Sequence, residues 1–272
     1  KRTYDAGVKH DTYYVYDTYG NLIYVLPPKA EGTITVDILN NLCYQYKYDV
    51  RNRLVEKKLP GKQWEFIVYD KLDRVVASGP ANSPFSDITS VGWVVTKYDV
   101  LNRPVITAWL QGSVTNLDRK TLQDAQNLLT ANFSETKIAT ATNTTINGVA
   151  FRYNNNAWPT SGYHVLTVNY YDDYNYPNAP TIPASVETQP VYYNTTVKPK
   201  GLATGSWTRI LETSTLYKNE FSYTLYDDRA RPIRTYTQNH LGGYTYIDSK
   251  LDFSGKTEYS ITRHKRVSTD AE

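Results

Sequence analysis

Short runs of alternating apolar and polar positions, such as Tyr14-Val15-Tyr16, Tyr46-Lys47-Tyr48 and Thr96-Lys97-Tyr98, end on or just before a Tyr-Asp pair. Turn-prone or basic residues follow, and the alternation then resumes, as at Arg53-Leu54-Val55, Arg74-Val75-Val76 and Arg231-Pro232-Ile233. Period two on both sides of a turn signal predicts β-hairpins. Asp17, Asp49, Asp70, Asp99, Asp172 and Asp227 mark six copies, and Asp252, preceded by Leu251, marks a degenerate seventh. Their spacing is irregular. That fits repeated hairpins with variable far-side loops rather than a solenoid of rigid period.

The third residue after each marker is Gly20, Asn52, Asp73, Asn102, Asn175, Ala230 and Gly255. All but Ala230 are types that accept positive φ, the seat required where a type I turn is followed by a left-handed residue and a bulge. The marker aspartate can bond the exposed N–H groups that follow it. It is therefore read as a structural cap of the turn rather than as an acid or base.

Composition sharpens the reading. The 272 residues include 26 Tyr against 6 Phe and 5 Trp, and Tyr suits pleated, half-buried surfaces where the ring packs and the hydroxyl stays wet. A net charge of +3 with both signs scattered leaves no footprint for nucleic acid or acidic lipid. The densest basic run, Arg263-His264-Lys265-Arg266, reads as a solvated strand end. The single cysteine, Cys43, is expected to be a buried, inert thiol. No run approaches the roughly 18 apolar residues of a spanning helix, and no signal peptide opens the chain, so no membrane insertion is expected. The lack of any Met, the first position included, predicts a processed or excised piece of something longer.

Three regions follow from the rhythm. Residues 1–111 hold four closely spaced hairpins. Residues 112–165 break the pattern: Thr115-Asn116-Leu117-Asp118 resembles a capping box, predicting a helix at about 116–130, with Leu122, Ala125, Leu128 and Leu129 as its packing stripe. The Asn-rich stretch 153–159 then reads as surface loop. Residues 166–272 hold further, degenerate copies, with a Pro- and Tyr-rich loop over 172–205.

Little chemistry is visible. His10, His164, His240 and His264 fall at no metal-ligand spacing. Asp172-Asp173 and Asp227-Asp228 raise the idea of a glycoside hydrolase, but neighbours on a strand point to opposite faces. Trp64, Trp93, Trp109, Trp158 and Trp207 would serve a glycan-binding module, although aromatics in a sheet more commonly pack. The expectation is a protein that is not an enzyme and uses no metal or cofactor.

The copies Tyr48-Asp49-Val50-Arg51-Asn52-Arg53-Leu54 and Tyr98-Asp99-Val100-Leu101-Asn102-Arg103-Pro104 are similar to the YD repeat, Tyr-Asp-x-x-Gly-Arg-Leu, of the Rhs family, with Asn in the Gly seat. Leu166–Asp172, Thr204–Arg209 and Asn239–Tyr244 resemble segments of a long-insert Rhs subfamily found in large secreted proteins of Gram-negative bacteria. The resemblance spans nearly the whole chain. It implies an all-β, spirally wound antiparallel sheet that forms a section of a hollow shell, secreted or at the cell surface. Such a shell encloses a polypeptide, often a C-terminal toxin. Its partners would be neighbouring repeats of the same longer chain, the enclosed cargo and secretion machinery. A cell-surface adhesin and, more remotely, a hydrolase are the competing classes.

Overall fold

The computed structural model describes residues 1–30, 32–139 and 142–272. Among them are β1 (Arg2–Asp5), β2 (Val8–Asp11), β3 (Tyr13–Tyr16), β4 (Leu22–Leu26), α1 (Val36–Leu42), β5 (Tyr44–Tyr48), β6 (Leu54–Lys58), β7 (Trp64–Tyr69), β8 (Val75–Asn82), β9 (Val91–Tyr98), β10 (Pro104–Gln111) and α2 (Asn116–Leu128). There follow β11 (Thr144–Ile146), β12 (Val149–Phe151), β13 (Tyr163–Tyr171), β14 (Ser185–Val186), β15 (Gln189–Pro190), β16 (Ala203–Arg209), β17 (Asn219–Tyr226), β18 (Pro232–Gln238), β19 (Gly242–Leu251) and β20 (Thr257–Val267). The protein is all-β. Fourteen strands follow one hydrogen-bonded order, β3 through β10 and then β13 and β16 through β20.

The chain divides into two compact units. The first comprises Lys1–Asn82, Val91–Val94 and Gly112–Leu129. Its strands β3 to β8 pair as an antiparallel meander, and each of the hairpins β3–β4, β5–β6 and β7–β8 shifts register just before its turn. Val55, Phe66, Val68, Val76 and Ala77 form its apolar core. Sequence reading did not predict the short helix α1. Its carbonyls at Leu39 and Asn40 are satisfied by buried side chains of the adjacent strands, Gln45 Nε2 at 3.0 Å and Lys58 Nζ at 3.0 Å, so the orphan acceptors of a helix end meet an amide and a cation.

Helix α2 opens with the capping box: Thr115 Oγ1 accepts the Asp118 N–H at 3.2 Å and Asp118 Oδ2 accepts the Thr115 N–H at 2.9 Å. It does not pack the expected leucine stripe. Ala125 and Leu128 are exposed, and the buried residues are Arg119, Gln123 and Gln126. The surface beneath the helix is polar, which explains the difference. Gln123 Oε1 accepts the Tyr69 N–H at 3.0 Å and its Nε2 donates to the Tyr69 carbonyl at 2.8 Å, where a bulge interrupts the ladder. Asn116 and Arg119 face the buried Glu56 carboxylate.

The second unit comprises Ser83–Ser90, Val95–Gln111 and Thr130–Glu272. Its core joins Val105, Ile106, Ala108, Val165, Val168, Leu225 and Ile233 to a band of aromatic rings. Stacked or tilted rings run Tyr153, Tyr170, Tyr176, Phe221, Tyr223, Tyr236 and Tyr244, each 4.4–6.5 Å from the next. Two of these tyrosines come from stretches expected to be loops. Tyr153, Ala157 and Tyr176 are buried, so the Asn-rich stretch 153–159 is not a surface loop. Its Tyr153 and Ala157 turn inward while the side chains of Asn154 and Asn155 bond backbone groups of Thr136 and Thr160. Gly205 makes room for this layer, since a Cβ there would lie 2.6 Å from the Tyr176 hydroxyl.

Candidate functional site at the turn edge

The recurring phrase folds into the same turn at Asp17, Asp49, Asp70, Asp99, Asp227 and Asp252. In each, the marker's carbonyl accepts the N–H of the third residue on, at 3.0–3.2 Å, and its N–H donates to the carbonyl of the fourth, at 2.8–3.0 Å. The third residues all lie at positive φ: Gly20 at 83°, Asn52 at 57°, Asp73 at 61°, Asn102 at 62°, Ala230 at 61° and Gly255 at 94°. One carboxylate oxygen takes two backbone N–H groups. At Asp70 these are Leu72 and Arg74, at 2.9 and 3.0 Å.

The other oxygen engages a residue that sequence reading noted only as basic. Arg53, Arg74, Arg103 and Arg231 return their Nε to the Oδ2 of Asp49, Asp70, Asp99 and Asp227 at 2.7–2.8 Å. An arginine four residues after the Asp was the available signal. In the first copy Asn21 Nδ2 takes this position at 3.0 Å. That amide, with the backbone N–H groups of the turn, holds the Asp17 carboxyl below the usual carboxylate range against the effect of burial. At Asp49 burial acts upward, but the Arg53 N–H and guanidinium outweigh it and the carboxyl again lies low.

The turns are tied to one another by the remaining parts of the phrase. Each unit shows the same link: the Tyr before the Asp donates its hydroxyl to a backbone carbonyl of the preceding hairpin. The pairs are Tyr48 to Leu22 at 3.0 Å, Tyr69 to Leu54 at 2.8 Å, Tyr171 to Pro104 at 3.2 Å and Tyr226 to Ala203 at 2.7 Å. Arginines reach the other way. Arg53 Nη1 lies 2.7 Å from Asp73 Oδ1, and Arg231 Nη1 donates to the Asp252 carbonyl at 3.2 Å.

Asp172 and Asn175 depart from expectation, and no tight turn is present there. Asp172 itself lies at φ 73°, and its N–H donates to Leu202 at 3.0 Å. The β13–β16 pair therefore closes at Leu202, with residues 173–201 inserted inside the turn. Asp172 retains the mouth of that loop: it accepts the Gly201 N–H at 2.6 Å and a two-pronged ion pair from Arg103 at 3.0 and 2.6 Å. Conversely, Asn239, which no Tyr-Asp pair marks, makes a turn of the same kind. Its Oδ1 accepts Leu241 and Gly243 N–H groups at 3.0 and 2.9 Å, with Gly242 at φ 84°.

The residues considered for other chemistry are placed elsewhere. Asp173 turns to Lys137 and Lys198, away from Asp172's partners, and Asp228 is exposed beside the capped Asp227. Trp93, Trp109 and Trp207 are buried in packing, while Trp64 carries Lys47 Nζ 4.3 Å over its ring. Cys43 is buried, and burial pushes its thiol pKa up. No helix among the described residues is long and apolar enough to cross a membrane.

No family model and no curated protein matches the chain. Among solved structures it is similar to a crystal structure of TcdB2-TccC3-TEV, with 10% identity and a TM-score of 0.31, over 96% of this chain and 13% of that one. A Photorhabdus luminescens Tc holotoxin pore with a TccC3 variant matches at 10% identity and TM-score 0.27, over 92% of this chain and 12% of that one. A TcdB2-TccC3-Cdc42 crystal structure matches at 10% identity and TM-score 0.21, over 98% and 15% respectively. The chain thus spans a small part of the length of each.

Proposed function

We propose that the chain is a section of the wall of a larger Rhs-type β shell, exported by a Gram-negative bacterium, and that the wall contains a polypeptide, a C-terminal toxin cargo, until delivery. The observation that carries this reading is the sideways link. The hydroxyls of Tyr48, Tyr69, Tyr171 and Tyr226 and several Arg side chains of the turn edge reach a neighbouring hairpin, a device for extending a sheet one hairpin at a time. Strand β3, at one end of the strand order, supports it as well. Tyr13, Tyr14, Val15 and Tyr16 are all exposed there, and an edge strand of that composition calls for cover by another strand. Neighbouring repeats of the same longer chain would supply it. In this reading the protein acts by containment and turns over no substrate.

Two measurements test the reading. Residues 1–272 expressed alone should self-associate or bind an apolar dye; a monodisperse, cooperatively melting monomer with negligible dye binding would favour a self-contained β module such as an adhesin. In the full-length protein, protease should spare the enclosed polypeptide until denaturant opens the wall. Digestion of that polypeptide in the native state overturns containment.

A further inference from the structure

Within the second unit, Lys97 of β9 and Glu135 are both entirely removed from solvent, with Nζ and Oε1 2.7 Å apart. Lys97 also contacts the side-chain oxygen of Asn155. That same oxygen accepts the Tyr163 hydroxyl at 2.6 Å, and the Asn155 amide nitrogen is anchored on the Thr160 carbonyl at 2.8 Å. Glu135 is held on both sides. Its N–H donates to the Tyr98 carbonyl at 2.7 Å, and its carboxylate accepts the N–H groups of Asn156 and Ala157 at 2.9 and 3.2 Å. A buried amine, carboxylate and phenol thus converge with a half-buried carboxamide.

The geometry points to an intramolecular isopeptide bond between Lys97 and Asn155, with Glu135 moving the protons and Tyr163 polarising the amide. A buried ammonium and carboxylate are costly to keep charged, and burial lowers the Lys97 pKa against the opposing pull of Glu135. Passing one proton from Nζ to Glu135 leaves two neutral groups and an amine free to attack. Its lone pair adds to Cγ of Asn155, and the charge that develops on Oδ1 falls where the Tyr163 hydroxyl donates. Glu135 then gives its proton to Nδ2. The Cγ–Nδ2 bond breaks, ammonia leaves, and Glu135 takes the surplus proton from Nζ. The products are a secondary amide, a neutral Glu135 and one ammonia; no oxidant or cofactor takes part. Holding the reactants in contact supplies the high effective concentration that an uncatalysed amine and amide lack. The bond would clamp the inserted segment around Asn155 to the strand that carries Lys97.

Intact-mass spectrometry of the folded full chain, taken from its size-exclusion peak after incubation at neutral pH, tests this. The expected mass is that of the sequence less one ammonia, with a branched peptide joining the Lys97 and Asn155 fragments after digestion. Glu135→Gln and Asn155→Ala should restore the full sequence mass. Tyr163→Phe should slow the loss of ammonia by an order of magnitude or more. A wild-type chain at its full mass, or an ammonia loss whose link lies elsewhere, overturns the proposal and leaves a buried ion pair. The wild-type reading stands whether or not the variants fold.

Discussion

The Arg53 guanidinium lies 4.6 Å over the ring of Tyr69, one hairpin further along the sheet. Arg103 holds the same relation to Tyr171 at 4.3 Å. A planar cation that also returns Nε to its own aspartate welds the interior of one turn to the side of the next. Arg53→Lys keeps the charge but loses the fork and the stacking plane. It should cost about 1–2 kcal/mol in urea denaturation, and a double-mutant cycle with Tyr69→Leu should return a coupling of about 0.5–1 kcal/mol. Additive effects would break the link.

Asn52→Val and Asn102→Val should each destabilise by roughly 1–2 kcal/mol, because a β-branched residue is poorly accommodated at positive φ. Ala230→Gly should act in the opposite direction, stabilising by up to about 1 kcal/mol. Wild-type denaturation midpoints in all three would contradict the strained seat.

The Asp70 and Arg74 side chains, 2% and 7% exposed, form the most buried ion pair of the turn edge. Asp70→Ala should cost about 3–5 kcal/mol by removing the carboxylate half of a buried ion pair. Asp70→Asn keeps an oxygen for the N–H groups of Leu72 and Arg74, as Asn239 does in its own turn, and should cost about 1–3 kcal/mol. Equal losses would show that the backbone bonds contribute little.

Gly205→Val should destabilise by about 1–3 kcal/mol, since the new side chain displaces the Tyr176 ring from its place against the sheet. Pairing it with Tyr176→Ala should lose much less than the sum of the two single changes. Full additivity in thermal melts would mean that the ring and the glycine are independent.

Burial pushes the hydroxyls of Tyr153, Tyr170 and Tyr176 well above the usual tyrosine range. Below about pH 10 these groups are neutral in both folded and unfolded chains. Above it the unfolded chain ionises first, so stability falls as pH rises toward the folded values. Tyrosinate absorbance and circular dichroism should therefore change together in alkali, and Tyr170→Phe should move the transition upward. Smooth titration of all 26 tyrosines with the sheet intact would count against the buried layer.

The turns were legible because their determinants are local: an Asp and, three residues on, a side chain tolerant of positive φ. The arginine was harder to read, because half of what it does lies in the next hairpin, which spacing along the chain does not reveal. Tyr171-Asp172 misled for the converse reason. The dipeptide is intact, but its turn is opened by residues 173–201, and only the Asp172 N–H bond to Leu202 shows where the strand returns. At α2 the cap was readable and the buried face was not, since a polar stripe is buried only where polar groups such as Glu56 and the Tyr69 backbone await it. The Lys97 cluster left no motif, its members being drawn from β9, from Glu135 between α2 and β11, from a segment whose asparagines read as loop, and from β13.

The receiving groups of the tyrosine hydroxyls, at Leu22, Leu54, Pro104 and Ala203, share nothing but a carbonyl. Every residue has one, so this joint places no demand on the recipient's side chain. A duplicated hairpin would arrive already compatible with its neighbours, and point mutations on the accepting side would drift freely. A hairpin added at this joint would need to bring only its own tyrosine, not a side chain matched on the accepting side.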